Sequence, residues 1–305
     1  VYAEIQKTDV LTGAKYISFA EGVEKGLIRF VGDDCKKALY EAIESRQVRP
    51  GLCKTAGLKL VYSPLNGSGL VPVTQVLKDI GITDITIVPE QEYPNGYFTT
   101  CSYPNPEIFA ALELGLNLAK ETDADLMLAT DPDADRLGVY VKDSKTGEYH
   151  SLTGNMSGCL IGDYVIGQRK ALYGLPEDGA FIRSIVSTNM ADAIAKYYGI
   201  QLVEVLTGFK FIGQKILEFE NTGKGTYLFG MEESYGCLTG TYARDKDAVS
   251  ATVALCEAAA YYATKGKTLW DVMIDMYEKY GYCVDSITAM DFPGLEGMDL
   301  SLIHI

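Results

Sequence analysis

Strand-like and helix-like segments alternate along this chain, and they do so in two rounds. Such alternation points to α/β architecture, with helices laid over sheets. In the first round, 58–63 and 83–88 read as strands. A helix follows over 104–121, opened by Asn105-Pro106-Glu107, with Pro in the first turn and an acid near the positive end. Residues 126–130 are an apolar run that reads as a buried strand; 137–142 read as another, antiparallel, closed by the turn Ser144-Lys145-Thr146-Gly147. In the second round, strands are expected at 180–186, 201–205 and 226–229, and helices at 156–173, 189–198 and 209–219. Helices at 247–264 and 268–279 close it. Residues 1–55 read as mostly helical, with an amphipathic stretch at 34–45. A length of 305 residues accommodates two such domains, and the boundary is expected near Tyr149–Asn155. In open α/β sheets, ligands bind beyond the carboxyl ends of the strands. The polar loops after 126–130 and after 226–229 are therefore the places to look for a site, and they share one if both sheet edges face the same cleft.

The first of these loops is Asp131-Pro132-Asp133-Ala134-Asp135-Arg136. In an extended loop, side chains at alternate positions project the same way, so three carboxylates converge. At neutral pH they repel one another unless a cation sits among them, and an all-oxygen set with open positions suits Mg2+ shared with a phosphate. Arg136 adds a fixed charge that can reach a phosphate oxygen. A solvated acidic loop fits the triplet equally well. An EF-hand does not fit, because its glycine and its closing Glu would fall on Arg136 and Lys142. A phosphatase with Asp131 as nucleophile would want Thr or Val where Asp135 stands.

The second loop, Gly230-Met231-Glu232-Glu233-Ser234-Tyr235-Gly236, places Glu232 and Ser234 on one side of a glycine-bounded turn. A carboxylate can accept from two neighbouring hydroxyls, which suits a sugar, although solvated acids in an ordinary turn are the simpler reading. Thr207-Gly208-Phe209-Lys210 opens a helix, with Thr207 as the expected N-cap. Lys210 lies in the first turn, where a cation is disfavoured unless it is solvated or faces an anion. Arg244-Asp245-Lys246-Asp247 precedes another helix, as a solvated cap or as a phosphate neutraliser through Arg244 or Lys246. Ser63-Pro64-Leu65-Asn66-Gly67-Ser68-Gly69 lacks the G-K-[S/T] ending of a phosphate loop and reads as a tight strand-to-helix turn. The two histidines, His150 and His304, have no nucleophile or carboxylate pattern around them.

Composition limits the functional classes. An apolar fraction of 47% and a charged fraction of 22% are ordinary for a globular protein. A net charge of −14 argues against nucleic acid or an anionic membrane as partner. The seven cysteines are scattered without a C-x-x-C pair, which suits reduced thiols and a cytoplasmic location. The chain starts without a Met, so the expectation is a processed or excised piece.

Taken together, six segments in order resemble the α-D-phosphohexomutase superfamily, particularly bacterial α-phosphoglucomutases: 62–69, 102–107, 131–136, 207–211, 230–236 and 244–247. The resemblance implies two similar mixed-sheet α/β domains, each with helices covering the sheet. Residues 1–40 would be a helical remnant of a first domain, 41–150 the family's domain 2 and 151–290 its domain 3; 291–305 would start the link to domain 4. The implied reaction interconverts glucose 1-phosphate and glucose 6-phosphate through a phosphoserine and a hexose 1,6-bisphosphate. Asp131, Asp133 and Asp135 would hold Mg2+, and Glu232 and Ser234 the hydroxyls at sugar positions 3 and 4. Lys246 would contact substrate phosphate and Arg136 would flank the metal; Thr207, Gly208, Lys210 and Arg244 are further substrate-site candidates.

Two family motifs have no counterpart here: the T-A-S-H-N-P-like loop with the nucleophile, and the R-x-S-G-T-E-P-like phosphate clamp. The expectation is a fragment consisting of domains 2 and 3, inactive alone without its first and fourth domains. A phosphomannomutase, or a non-catalytic module holding Mg2+ and a sugar phosphate, are the alternatives. The tail Leu300-Ser301-Leu302-Ile303-His304-Ile305 reads as adapter sequence from DNA library preparation, an expectation that the coding DNA would test.

Overall fold

A computed structural model describes residues 2–286, together with 294 and 297. Apart from those two positions, the expected link over 291–305 and its tail lie outside the described residues. The chain divides into two units, 1–41 and 42–305.

In the first unit, helices α1 (Tyr2–Ile5) and α2 (Phe19–Glu24) are short, and α3 (Asp33–Glu44) runs across the division. Ser18 caps α2 by accepting from the Glu21 N–H. The stretch between α1 and α2 is not helical, so the expectation of mostly helical structure over 1–55 holds only in part.

The second unit contains two sheets built on one plan. Helix α4 (Cys53–Ala56) ends at Gly57, whose φ of 63° closes it in the left-handed region. Strands β1 (Lys59–Ser63), β2 (Asp84–Ile87), β3 (Leu126–Thr130), β4 (Leu137–Lys142) and β5 (Tyr149–Leu152) form a sheet of order β2-β1-β3-β4-β5. The β1–β2 and β1–β3 pairs are parallel, β3–β4 and β4–β5 antiparallel. Helices α5 (Leu70–Asp79) and α6 (Phe109–Thr122) belong to this part. All five residues of β3 are buried, as a continuous apolar run requires of a central strand covered on both faces.

Helix α7 (Gly154–Tyr173) leads into the second sheet. There β6 (Gly179–Ser184), β7 (Gln201–Val205), β8 (Thr226–Met231) and β9 (Cys237–Leu238) lie in the order β7-β6-β8-β9, with only the β8–β9 pair antiparallel. Between these strands run α8 (Met190–Tyr198) and α9 (Phe209–Thr222); α10 (Ala248–Ala263) and α11 (Leu269–Tyr280) follow. Both sheets are thus mixed, each with its antiparallel strand next to the strand that carries a polar loop. Helix α10 is buried along most of its length and packs against α4 and α5 as well as α7, which ties the two sheets together.

Two sequence expectations need correction. The helix expected from Pro104 begins only at Phe109. Pro104 and Pro106 donate no N–H and bias their predecessors towards extended backbone, and Asn105 Oδ1 accepts from the Glu107 N–H in a local turn instead. Gly208, with φ 111°, takes the N-cap of α9 in place of Thr207, which is exposed. Among the described residues, no helix is long and apolar enough to cross a membrane, and all seven cysteines are free thiols.

Candidate functional site

The acidic loop leaves the carboxyl end of β3 and returns as β4. Asp131 holds its shape: the Asp131 carbonyl accepts from the Ala134 N–H at 3.0 Å. The Asp131 Oδ1 accepts from the N–H groups of Asp135 and Arg136 at 3.0 and 2.9 Å. Ala134 has a φ of 59°, a left-handed position that costs a non-glycine residue about 1–2 kcal/mol. The loop is therefore held in a conformation its local sequence does not favour. A neighbouring loop supports it. The Ser68 N–H donates to the Pro132 carbonyl at 2.8 Å, and Gly67 lies so close that a Cβ there would meet Pro132 backbone atoms at 2.3–2.7 Å. The turn read at 63–69 is thus the brace under the acidic loop.

The carboxylates of Asp131, Asp133 and Asp135 offer oxygens that lie within 4.8 Å of one another. Burial, followed by the charges of Asp135 and Asp133, pushes the Asp131 carboxyl up to about 7, although the Arg136 N–H pulls the other way. Asp135 Oδ1 is buried with no hydrogen-bond partner. Convergent, partly buried carboxylates with an unsatisfied acceptor are the donor set of a hard divalent cation, so these residues fit Mg2+. Arg136 Nε lies 3.7 Å from Asp131 Oδ2 and from Asp135 Oδ1, and its Nη1 lies 3.3 Å from Glu107 Oε1.

The loop after β8 meets the acidic loop directly. The Leu137 N–H donates to the Tyr235 carbonyl at 3.1 Å, and the Ala248 N–H donates to the Ala134 carbonyl at 3.1 Å. Glu232 is buried, and its Oε1 accepts from the Ser234 hydroxyl at 2.9 Å. Burial raises the Glu232 carboxyl above its ordinary value, with Ser234 and Lys246 opposing. Glu233 turns the other way, where its Oε2 accepts from Ser184 at 2.8 Å and Ser187 at 3.3 Å, anchoring the loop on the carboxyl end of β6. Gly154 lets α7 approach that loop: a Cβ there would meet the Glu233 carbonyl oxygen at 2.0 Å.

Lys246 joins the two loops. Its Nζ sits 2.7 Å from Asp135 Oδ2 and 3.9 Å from Glu232 Oε1, with only 13% of its side chain exposed. Burial pulls the ammonium down, but Asp135, with Glu232 and Asp245, holds it above the usual lysine value. Gly236 makes room for it, since a Cβ there would meet Lys246 Cδ at 2.3 Å.

The structure thus brings together Asp131, Asp133, Asp135, Arg136, Glu232, Ser234 and Lys246. It does not bring Arg244 to them: the guanidinium donates to the Thr241 carbonyl at 2.6 Å and to Glu220 on α9 at 2.5 Å. Thr207 and Lys210 are exposed at the start of α9, with Lys210 over the Phe211 ring. Sequence reasoning missed Glu107 as the partner of Arg136, and Ser184 and Ser187 as the anchor of Glu233. Glu107 was legible only as a helix-opening acid, and the two serines carry no local signal.

Models of this fold family match both halves. Phosphoglucomutase/phosphomannomutase α/β/α domain II matches residues 37–147, and domain III matches residues 153–280. The chain belongs to the phosphoglucomutase/phosphomannomutase family, whose members are isomerases. A phosphoglucomutase of Staphylococcus epidermidis is 32% identical over 274 residues, which cover 90% of this chain and 48% of that protein. One from Staphylococcus aureus is 34% identical over 267 residues, covering 88% and 46%. The chain spans about half the length of the curated relatives it matches. Among solved structures, a putative phosphomannomutase from Thermus thermophilus superposes with a TM-score of 0.64 at 22% identity, covering 80% of this chain and 50% of that one. The Paramecium phosphoglucomutase parafusin superposes with a TM-score of 0.62 at 19% identity, covering 82% and 42%. Both show the fold.

Proposed function

We propose that this chain supplies the metal-binding and sugar-binding half of an Mg2+-dependent phosphoglucomutase that interconverts glucose 1-phosphate and glucose 6-phosphate. The observation that carries the reading is Lys246, whose ammonium lies between the acidic triad and Glu232. Asp131, Asp133 and Asp135 would hold Mg2+. The ion would neutralise charge on the phosphoryl group in transfer. Glu232 accepts hydrogen bonds from two adjacent sugar hydroxyls, and Ser234 keeps its carboxylate in place. Lys246 and Arg136 meet the phosphate with positive charge on a face that otherwise repels it. Glu107 fixes the guanidinium of Arg136.

Phosphoryl donation belongs to a serine on a domain of the family that no motif here resembles. The reacting species are then a hexose phosphate and its 1,6-bisphosphate, held here by the sugar and positioned for a donor supplied by the remaining domains. The glucose preference draws support from the curated phosphoglucomutases and from the Glu232-Glu233-Ser234 pattern. The test is calorimetry of glucose 1,6-bisphosphate with the purified 305-residue chain in Mg2+. Binding that is lost in Glu232→Gln and in chelator supports the reading, and binding indifferent to both overturns it. In a coupled assay, the 305-residue chain alone is expected not to turn over glucose 1-phosphate.

A further inference from the structure

The second sheet carries a separate cavity at its other end. Strand β8 runs from Thr226 to Met231, and the loop with Glu232 leaves its carboxyl end. Around its amino end lies a cavity of about 290 Å3, lined by Arg46, Arg169, Glu220, Tyr227, Thr239 and Gly240 among others. That volume is close to the lower edge of the range of about 300–1,000 Å3 for small-molecule sites.

Two guanidinium groups share this cavity. Arg169 sits near the end of α7, half-buried, and the charged neighbour that acts on it is Arg46, which disfavours its charge. Burial and then Arg46 lower its pKa. Arg46 donates to the Ser45 hydroxyl through Nε at 3.2 Å and Nη2 at 2.9 Å, and crosses directly over Gly240. A Cβ at Gly240 would meet Arg46 Cδ at 2.5 Å and Nη1 at 3.1 Å. The carboxylate on the wall, Glu220, is already paired with Arg244 at 2.5 Å.

A second observation points to a ligand. Thr239, a residue only 2% exposed, lines the same cavity, and its hydroxyl is buried without a hydrogen-bond partner. A buried unpaired hydroxyl is costly, and two like charges brought together in a half-buried cavity are costly too. A bound anion offsets the repulsion directly, since its oxygens accept from both guanidinium groups, and it offsets the other cost once the Thr239 side chain rotates its hydroxyl towards the cavity.

We propose that this cavity, formed by Arg46, Arg169 and Thr239, is a second anion site, remote from the acidic triad, that takes the phosphate group of a small phosphorylated metabolite. Phosphate suits the pair better than a carboxylate does. Its dianion balances two positive charges, and it has enough oxygens to serve two guanidinium groups and a hydroxyl together. The tetrahedral group fills the polar floor, and Tyr227 and Phe219 line the cavity beside it for the rest of the molecule.

Inorganic phosphate is the probe. Amide chemical shifts of the 305-residue chain are followed as phosphate is added, with calorimetry for affinity and acetate as the carboxylate control. The expected result is saturable movement of Gly225, Thr226, Thr239 and Gly240, with acetate at least about tenfold weaker. Arg46→Gln with Arg169→Gln weakens phosphate by about tenfold or more, and Thr239→Val by a few-fold, while Lys246→Ala leaves those shifts unchanged. Gly240→Ala, which displaces Arg46 without removing a charge, serves as the second variant if the double arginine change fails to fold. The proposal is overturned if phosphate moves none of these amides, if the variants bind as the parent does, if acetate binds equally well, or if Lys246→Ala removes the response.

Discussion

Replacing Lys246 by Met removes one charge from the centre of the site and keeps most of the side-chain volume. In the absence of metal, that ammonium sits 2.7 Å from Asp135 Oδ2 and is the cation closest to the triad's outer carboxylate. A hydrogen bond between charged groups contributes about 1.5–3 kcal/mol, and the pair is buried enough that solvent screens it only partly. The metal-free Lys246→Met protein should therefore lose about 1.5–3 kcal/mol of stability, at about 2–4 °C of melting temperature per kcal/mol. Mg2+ is expected to respond in the opposite sense. With the competing ammonium gone, the carboxylates gain from a divalent ion much of what they lost, so Mg2+ affinity should rise up to about tenfold, which is 1.4 kcal/mol. Melting in chelator and in saturating Mg2+, with calorimetry of Mg2+ for both proteins, measures both changes. If the variant folds and its Mg2+ affinity is unchanged or weaker, Lys246 does not offset the charge of the triad, and the electrostatic reading of the site fails.

Three other outcomes follow from the geometry. Gly67→Ala should weaken Mg2+ binding without touching a ligand, because its Cβ has only Pro132 backbone to move against; equal affinity in calorimetry would show that the brace is dispensable. Ser184→Ala combined with Ser187→Ala should weaken glucose 1,6-bisphosphate several-fold while leaving Mg2+ affinity alone, since both hydroxyls bond Glu233, which is not one of the three aspartates of the triad. Glu257→Ala should cost about 2–6 kcal/mol by chemical denaturation, because its carboxylate accepts from the buried N–H of Val48 at 2.9 Å and from Arg49 at 2.8 Å, each orphan costing about 1–3 kcal/mol; Glu257→Gln should recover part of it.

Much of the fold was legible because its strands and helices follow their own periodicities. The run 126–130 is buried at every residue, and 201–205 begins and ends where the pattern placed it. The pieces that escaped depend on partners distant in sequence. Strand β5 exists by pairing with β4, and β9 is only two residues long, held by β8. The proline-rich approach to α6 was misread because the helix signal of Pro at the first turn is also the signal of an extended lead-in, and Pro106 packs on Gly138 instead. At the site, the grouping of the aspartates was expected from alternation in an extended loop; they do group, but through a turn closed by the Ala134 N–H on the Asp131 carbonyl, with Ala134 left-handed, which the alternation did not show. The path of Lys246 was not legible, since its neighbour Arg244 carries the same charge and turns to Glu220. Which of two nearby cations reaches a carboxylate is decided by the cap of α10, where Asp247 accepts from the Val249 N–H, and by the room Gly236 leaves.

The central claim, that the acidic loop and the Glu232 loop face one bound ion, is tested most directly with Mn2+ as a paramagnetic substitute. At substoichiometric Mn2+, the amide signals of Ser234, Tyr235, Gly236 and Lys246 should broaden together with those of residues 131–136, and Mg2+ should reverse the effect. Broadening confined to other parts of the chain, or unchanged when Asp133 and Asp135 are replaced by Asn, would contradict the account.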